Sequence, residues 1–270
     1  MRATRKLFAF PWFLSDDHDY RSNLGWSICQ GCDAFCRLLV LEQPVATLHS
    51  SMFPDERSHE PEPLEREPLD RELDQLCATA RACYARGWVP ATSGNFSVRS
   101  RSRIFITPTG LDKGTLTPGD LLEIDLDGKA IGAHGHPSAE TGLHTVIYRE
   151  RQSARAILHV HSIWNTLLSG KFAPDGHVVL HGYELLKGLS GVATHEHTER
   201  VPIIENTQEY ASLADHLGNV LCQNPDAHGV LLSHHGLYTW GESVAEARRH
   251  LEALEFLFEV EGRQLFGQPV

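Results

Sequence analysis

The stretch ARAILHVHSIWNTLL, residues 154–168, decides how this chain is read. Its first half is a run of small and branched apolar residues of the kind that fills a buried strand, and its second half shifts to helical spacing. His159 and His161 stand two apart in the strand half. Alternate residues of a strand leave the same face, so both imidazoles project from one side, about 6.6 Å apart along the strand, and can converge on one ion. A catalytic metal site takes three protein ligands and keeps a position open for substrate. The best candidate for the third is His235 in SHHGLYTWG (233–241), where Gly236 lets the backbone pass close to an ion. His234 competes for the role, but in a regular strand it faces away from its neighbour.

Upstream, Leu69, Leu73, Leu76, Ala80 and Cys83 recur at helical spacing, and Arg86 followed by Gly87 reads as the helix end. NFSVR (95–99), RIFITP (103–108) and LLEIDL (121–126) are strand-like, and Asp127 with Gly128 predicts a hairpin into KAIG (129–132). Ser138 is placed to cap a helix through residues 140–151. Downstream, helices are expected at SIWNTLL (162–168) and YELLKGL (183–189), then a strand at VPIIE (201–205). A further helix carries Tyr210, Leu213, Ala214, Leu217 and Leu221 on one face. GVLLSHHGLYTW (229–240) reads as a last strand, before a capping box of Ser243 and Glu246 and the stripe Val244, Ala247, Leu251, Leu254 and Leu257. Strand meanders mixed with helices predict one sheet covered on both faces, an α/β/α layering without internal repeats.

Residues 1–65 lack sustained periodicity, and PDERSHEPEPLEREP (54–68) is rich in proline and charge. That composition predicts an irregular or disordered extension and linker, with the catalytic domain spanning 66–270. The formal charge of −11 argues against a nucleic-acid or membrane-surface partner, so an anionic substrate must be held by local groups. Apolar runs fall short of the roughly 20 residues that cross a bilayer, and the basic, aromatic opening soon meets Asp16 and Asp17, which does not suit an export signal. Six cysteines in a chain of this size predict a reduced, cytoplasmic protein rather than a disulfide framework. Cys29, Cys32 and Cys36 lack a further ligand pair at zinc-finger spacing and read as incidental.

SGNFS (93–97) and TPTG (107–110) have the small residues and free amides of an anion nest, with Ser93, Gly94, Asn95, Thr109 and Gly110 available to a phosphate. Such residues also dominate ordinary turns. Glu140 and Glu184 stand at expected helix starts, where a carboxylate commonly does no more than complement the helix dipole.

Taken in order, TSGNFSVR, ITPTG, PSAETGLH, ILHVHS, GYELLKG, VPIIENT and HHGLYTWG resemble the class II aldolase/adducin family over about residues 70–262. The resemblance implies a three-layer α/β/α fold with a central, mainly antiparallel sheet, and a homotetramer with sites near subunit interfaces. It implies one zinc ion per subunit on His159, His161 and His235. The amides and hydroxyls of SGN and TPTG, with Ser138 and Lys187, would hold a sugar phosphate. In the family's aldolases the acid/base residue is the one matching Glu140; in its dehydratase branch it is the one matching Glu184. GYELLKG, Lys113 and Trp240 look like that branch, implying dehydration of 5-methylthioribulose 1-phosphate in methionine salvage. The rivals are a retro-aldol lyase using Glu140 and a non-catalytic adducin-like binding protein, against which the intact histidine set speaks.

Overall fold

The computed structural model describes residues 63–132 and 135–267. The expectations for the extension up to residue 62, and for Cys29, Cys32 and Cys36, lie outside the described residues. The chain runs through α1 (Pro63–Ala85), β1 (Asn95–Ser100), β2 (Arg103–Ile106), β3 (Leu122–Ile124), α2 (Thr141–Glu150) and β4 (Ala156–Val160). It continues through α3 (Ile163–Lys171), β5 (His177–His181), β6 (Thr198–Ile204), α4 (Tyr210–Gln223), β7 (Gly229–Leu232), β8 (Gly236–Gly241) and α5 (Val244–Phe266).

The strands form one eight-stranded sheet in the order β3-β2-β1-β4-β8-β7-β6-β5. Every neighbouring pair is antiparallel except β6 with β7. β4 lies inside the sheet and is buried along its whole length, as its unbroken apolar run requires. Ala156, Leu158 and Val160 pack with Leu76 of α1, Leu168 of α3 and Leu254 of α5 on one face. Ile157 packs with Leu143 and Ile147 of α2 and Leu217 of α4 on the other. Burying each such side chain stabilises by about 1.5–3 kcal/mol, and two covered faces make the α/β/α layering expected from the sequence.

The end of α1 follows its sequence signal. Gly87 takes φ 71°, its N–H donates to the Tyr84 carbonyl, and Trp88 N–H donates to that of Cys83, a Schellman closure. The helix starts at Pro63, earlier than the expected Pro68, which lies inside it.

Four local expectations are corrected. The expected last strand is a hairpin: Leu232 pairs with Gly236, and residues 233–235 form a turn in which His234 takes φ 54°. The expected helix at 183–189 is a 3-10 segment, Glu184–Gly188, because Gly182 and Gly188 leave no room for a stable α-helix. KAIG turns back on β3 through Asp127 and Gly128 as expected, but in place of a full strand it supplies an isolated bridge between Ala130 and Ile124. Glu140, not Ser138, occupies the N-cap of α2, so Glu140 precedes the helix instead of lying in its first turn. The edge strand β5, HVVLH, is absent from the sequence reading although its β-branched pair and alternating burial carry the usual signal.

Candidate metal centre

Four strand ends meet at one end of the sheet. Asn95 at the start of β1 pairs with His159 on β4, His159 pairs with Tyr238 on β8, and the β7–β8 turn brings in His235. The Nε2 atoms of His161 and His159 lie 2.8 Å apart, those of His235 and His161 3.2 Å, and those of His159 and His235 3.4 Å. Two nitrogens bound about 2.05 Å from a tetrahedral ion lie about 3.4 Å apart, so the cluster fits a shared divalent cation. His159 is fully buried and its Nδ1–H donates to the Leu237 carbonyl at 3.0 Å, which leaves Nε2 with a bare lone pair for an ion. His235 Nδ1 lies 3.3 Å from Asn206 Oδ1. These are the histidines that form a ligand cluster among the described residues.

Gly236 is required by space, as the sequence suggested: a Cβ there would overlap the Val160 carbonyl and stand 3.0 Å from both the His159 and His161 rings. Gly94 combines φ 71° with an added-Cβ distance of 2.7 Å to the His159 carbonyl. His234 is turned out by the left-handed turn, not by the strand alternation assumed from the sequence. It is exposed and its ring sits against Gly170.

Glu140 closes the cluster. Its Oε1 lies 3.2 Å from His235 Nε2 and its Oε2 3.4 Å from His159 Nε2. Oε2 also accepts from Asn95 Nδ2 at 2.7 Å and from the Tyr238 hydroxyl at 3.2 Å. Burial lowers the pKa of His159 far below its usual value and that of His161 to about 4, so both present neutral lone pairs. Burial alone raises that of Glu140, but the hydrogen bonds from His235 and from the Asn95 amide outweigh it and hold the carboxyl below the usual range.

The expected phosphate residues gather only in part. Asn95 and Ser138 contact Glu140, Ser138 Oγ accepting from the Glu140 N–H at 3.3 Å, while Gly94 lies against the His159 carbonyl with Ser93 just before it. A bridge between Pro108 and Pro137 brings Thr109 and Gly110 to the same loops. Ser93 Oγ is buried with no hydrogen-bond partner. Asn95 is committed to Glu140 and His144. Ala91 and Thr92, just before the loop, hold φ of 52° and 64°, local strain of the kind that marks functional turns.

Glu184 and Lys187 lie elsewhere. β5 runs antiparallel to β6 and leaves the sheet at His181, opposite Thr198, whereas the triad adjoins Ile204 at the far end of β6. Six residues of strand separate those ends, about 20 Å. Glu184 is exposed and paired with Lys187, and His195 lies 3.8 Å away. An open groove of about 1040 Å³ lies at this second end, lined by Arg151, Lys187, His228, Trp240 and His250 among others, and by no residue of the triad.

Sequence reasoning missed several members of the site. Lys113 was noted only for its resemblance, yet it is buried, with Nζ donating to the Thr92 and Leu111 carbonyls beside the SGN loop. Tyr238 stacks on His159 with ring centroids 3.8 Å apart, and His144 bonds to Asn95. Tyr238 pairs with a ligand across two strands, a relation that no local motif shows.

A mainly antiparallel sheet with helices on both faces, bearing a histidine cluster closed by a glutamate, defines a class that comparison establishes directly. The class II aldolase and adducin N-terminal domain family matches residues 74–261, and the chain belongs to that family. Within it, the chain is 48% identical over 200 residues to the methylthioribulose-1-phosphate dehydratase of Stenotrophomonas maltophilia, covering 73% of this chain and 93% of that protein. It is 46% identical over 190 residues to the same enzyme of Methylococcus capsulatus, covering 70% and 92%. The L-fuculose-1-phosphate aldolase of Thermus thermophilus aligns with a TM-score of 0.59 and 26% identity, over 74% of this chain and 97% of that one.

Proposed function

We propose that this chain is a zinc-dependent hydro-lyase that converts 5-methylthioribulose 1-phosphate to 2,3-diketo-5-methylthiopentyl 1-phosphate in methionine salvage. The observation that carries the reading is the convergence of the His159, His161 and His235 Nε2 atoms beside Glu140, in a chain whose relatives at 46–48% identity are named for this dehydration. A divalent ion held by the three histidines supplies Lewis-acid stabilisation of the negative charge that develops on the C2 and C3 oxygens. Ser93, Gly94 and Ser138, with Thr109 and Gly110 close by, receive the C1 phosphate, and Lys113 provides the local cation that a chain of net charge −11 must set beside an anionic substrate.

Glu184 removes the C3 proton and delivers it to the departing C4 hydroxyl, so that water leaves and tautomerisation gives the diketone. It cannot reach the triad of its own chain, lying at the other end of the sheet. It therefore acts on the centre of a neighbouring subunit in the homotetramer that the resemblance implies, and Lys187 travels with it. Further support for a cytoplasmic enzyme of small molecules, without nucleic-acid or membrane partners, is the acidic charge; among the described residues no helix is long and apolar enough to cross a membrane.

One observation favours a second reading, a retro-aldol lyase: Glu140, not Glu184, lies within 3.2 Å and 3.4 Å of its own chain's histidine nitrogens. Product analysis separates the two. Zinc-loaded protein given 5-methylthioribulose 1-phosphate should yield one five-carbon diketone phosphate and water; two carbon fragments would establish the aldolase reading instead.

A further inference from the structure

Behind Glu140 runs a chain of buried polar groups that the proposed reaction does not use. Asn95 bonds through its amide to Glu140 Oε2 and to His144 Nε2; His144 Nδ1 lies 2.7 Å from Ser97 Oγ, which lies 2.9 Å from the Tyr148 hydroxyl. Ser97, His144 and Tyr148 are essentially inaccessible to solvent, and Asn95 is nearly so. The proton positions along this chain follow from the orientation of one amide. The Asn95 NH2 group faces Glu140 Oε2 and its oxygen faces His144. That oxygen only accepts, so His144 must carry its proton on Nε2. Burial lowers the His144 pKa to about 3 and keeps the ring neutral, so Nδ1 is bare and takes the Ser97 hydroxyl proton. Ser97 Oγ in turn accepts from Tyr148. The arrangement is one-way, and reversing any member leaves two donors or two acceptors face to face in a dry interior, where an unsatisfied group is costly.

We propose that His144 is a positioning residue of the metal centre: its Nε2–H fixes which way Asn95 faces, and so keeps Glu140 turned toward His159 and His235. The proposal rests on the metal reading of the histidine cluster. If Asn95 were free to rotate its amide by half a turn, its oxygen would face the carboxylate and repel it. Glu140 would then lose its shortest hydrogen bond and the anion beside the cation would be displaced. The imidazole also meets Tyr238 edge-on, with ring centroids 5.7 Å apart, so a merely structural contribution to packing must be separated from the polar one.

Two substitutions make that separation. In His144→Gln the amide nitrogen falls near the position of Nε2 and still donates to Asn95. In His144→Asn the shorter amide reaches Ser97 but not Asn95. Both remove the ring, so thermal unfolding of the metal-free proteins should show similar losses. Zinc affinity, measured by competition with a chromophoric chelator, should fall about 10- to 100-fold in His144→Asn, the usual effect of losing a partner that orients a ligand set. His144→Gln should recover most of it. Wild-type affinity in His144→Asn, or equal weakening in both variants, would overturn the proposal. A second measurement does not involve the ion: 15N shifts of the His144 ring in metal-free protein should show a protonated Nε2 and a bare Nδ1, and the opposite tautomer would overturn the relay even with the centre intact. Failure of the centre itself reads differently, as undiminished zinc affinity in His161→Ala, and would remove the proposal's basis.

Discussion

The two ends of the central sheet carry the two halves of the proposed chemistry in opposite physical states. At the histidine end His159 is buried and His161 and His235 are half-buried, and Glu140 and His144 lie in a hydrogen-bond network whose directions are fixed. At the other end Glu184 stands in solvent, and its hydrogen bond to Lys187 lowers its pKa below the usual carboxylate value. A group that acts as both base and acid near neutral pH needs the opposite shift, which burial provides. On the proposed reading, one chain brings the histidine cluster and Glu140 together by itself, whereas a proton shuttle at Glu184 needs the covering surface that assembly would supply.

The sharpest way to break that contrast is to remove ligands. His159→Ala, His161→Ala and His235→Ala should each lose bound metal and turnover while the fold persists, since the packed sheet does not depend on the ion; His234→Ala should keep stoichiometric metal. Elemental analysis of purified variants decides this, and metal retained in His235→Ala would undo the site as drawn. Next, Glu184→Gln should keep its metal yet lose about a hundredfold to ten-thousandfold in turnover. Tetramers assembled from Glu184→Gln and His161→Ala chains should recover turnover that neither parent has, because some interfaces then pair an intact triad with an intact Glu184. If mixing restores nothing while each variant assembles normally, Glu184 does not act across the interface.

A smaller effect concerns a carboxyl that neither end uses. Glu255 of α5 is buried, accepts from Asn165 Nδ2 at 2.8 Å, and has its pKa raised from 4.5 to about 7, mainly by burial. A raised acid pKa means that the folded state binds the proton more tightly than the unfolded chain. Its contribution is therefore complete below about 4.5 and is lost as pH rises through about 7. The shift corresponds to about 3 kcal/mol, and Glu255→Gln should flatten the fall in unfolding free energy across that window. A denaturation series with the same pH slope in both proteins would show the carboxyl to be unperturbed. The smallest change expected is from deleting residues 1–60: turnover and tetramer should persist, because the family match begins at residue 74 and the aligned relatives are almost fully covered without them. Loss of the tetramer on deletion would refute it.

Much of this was legible in the residues. β4 and α1 announce themselves through unbroken or periodic apolar runs and a glycine stop, and the pair His159 and His161 follows from strand alternation alone. At His235 the sequence points to the right residue with the wrong geometry, since a three-residue turn looks like strand when both flanks are apolar. YELLKGL, which carries Glu184, has helical composition, but five residues between glycines cannot nucleate a helix. The wider polar shell stayed hidden for a physical reason. Asn95, His144, Asn206 and Tyr238 gain their meaning from pairing across strands and layers, which no single window of sequence contains.

The register of β1, β4 and β8 also bears on when the site can come into being. Asn95, Glu140, His159 and His235 are scattered over more than half of the chain, and they meet only once β4 has been enclosed between β1 and the returning β8. Contacts of such long sequence separation form late and slow folding. On the metal reading, a divalent ion would therefore find no preformed nest in the collapsing chain and would bind only the finished sheet. It should act as a latch, lengthening the lifetime of the native state while leaving the rate of reaching it unchanged.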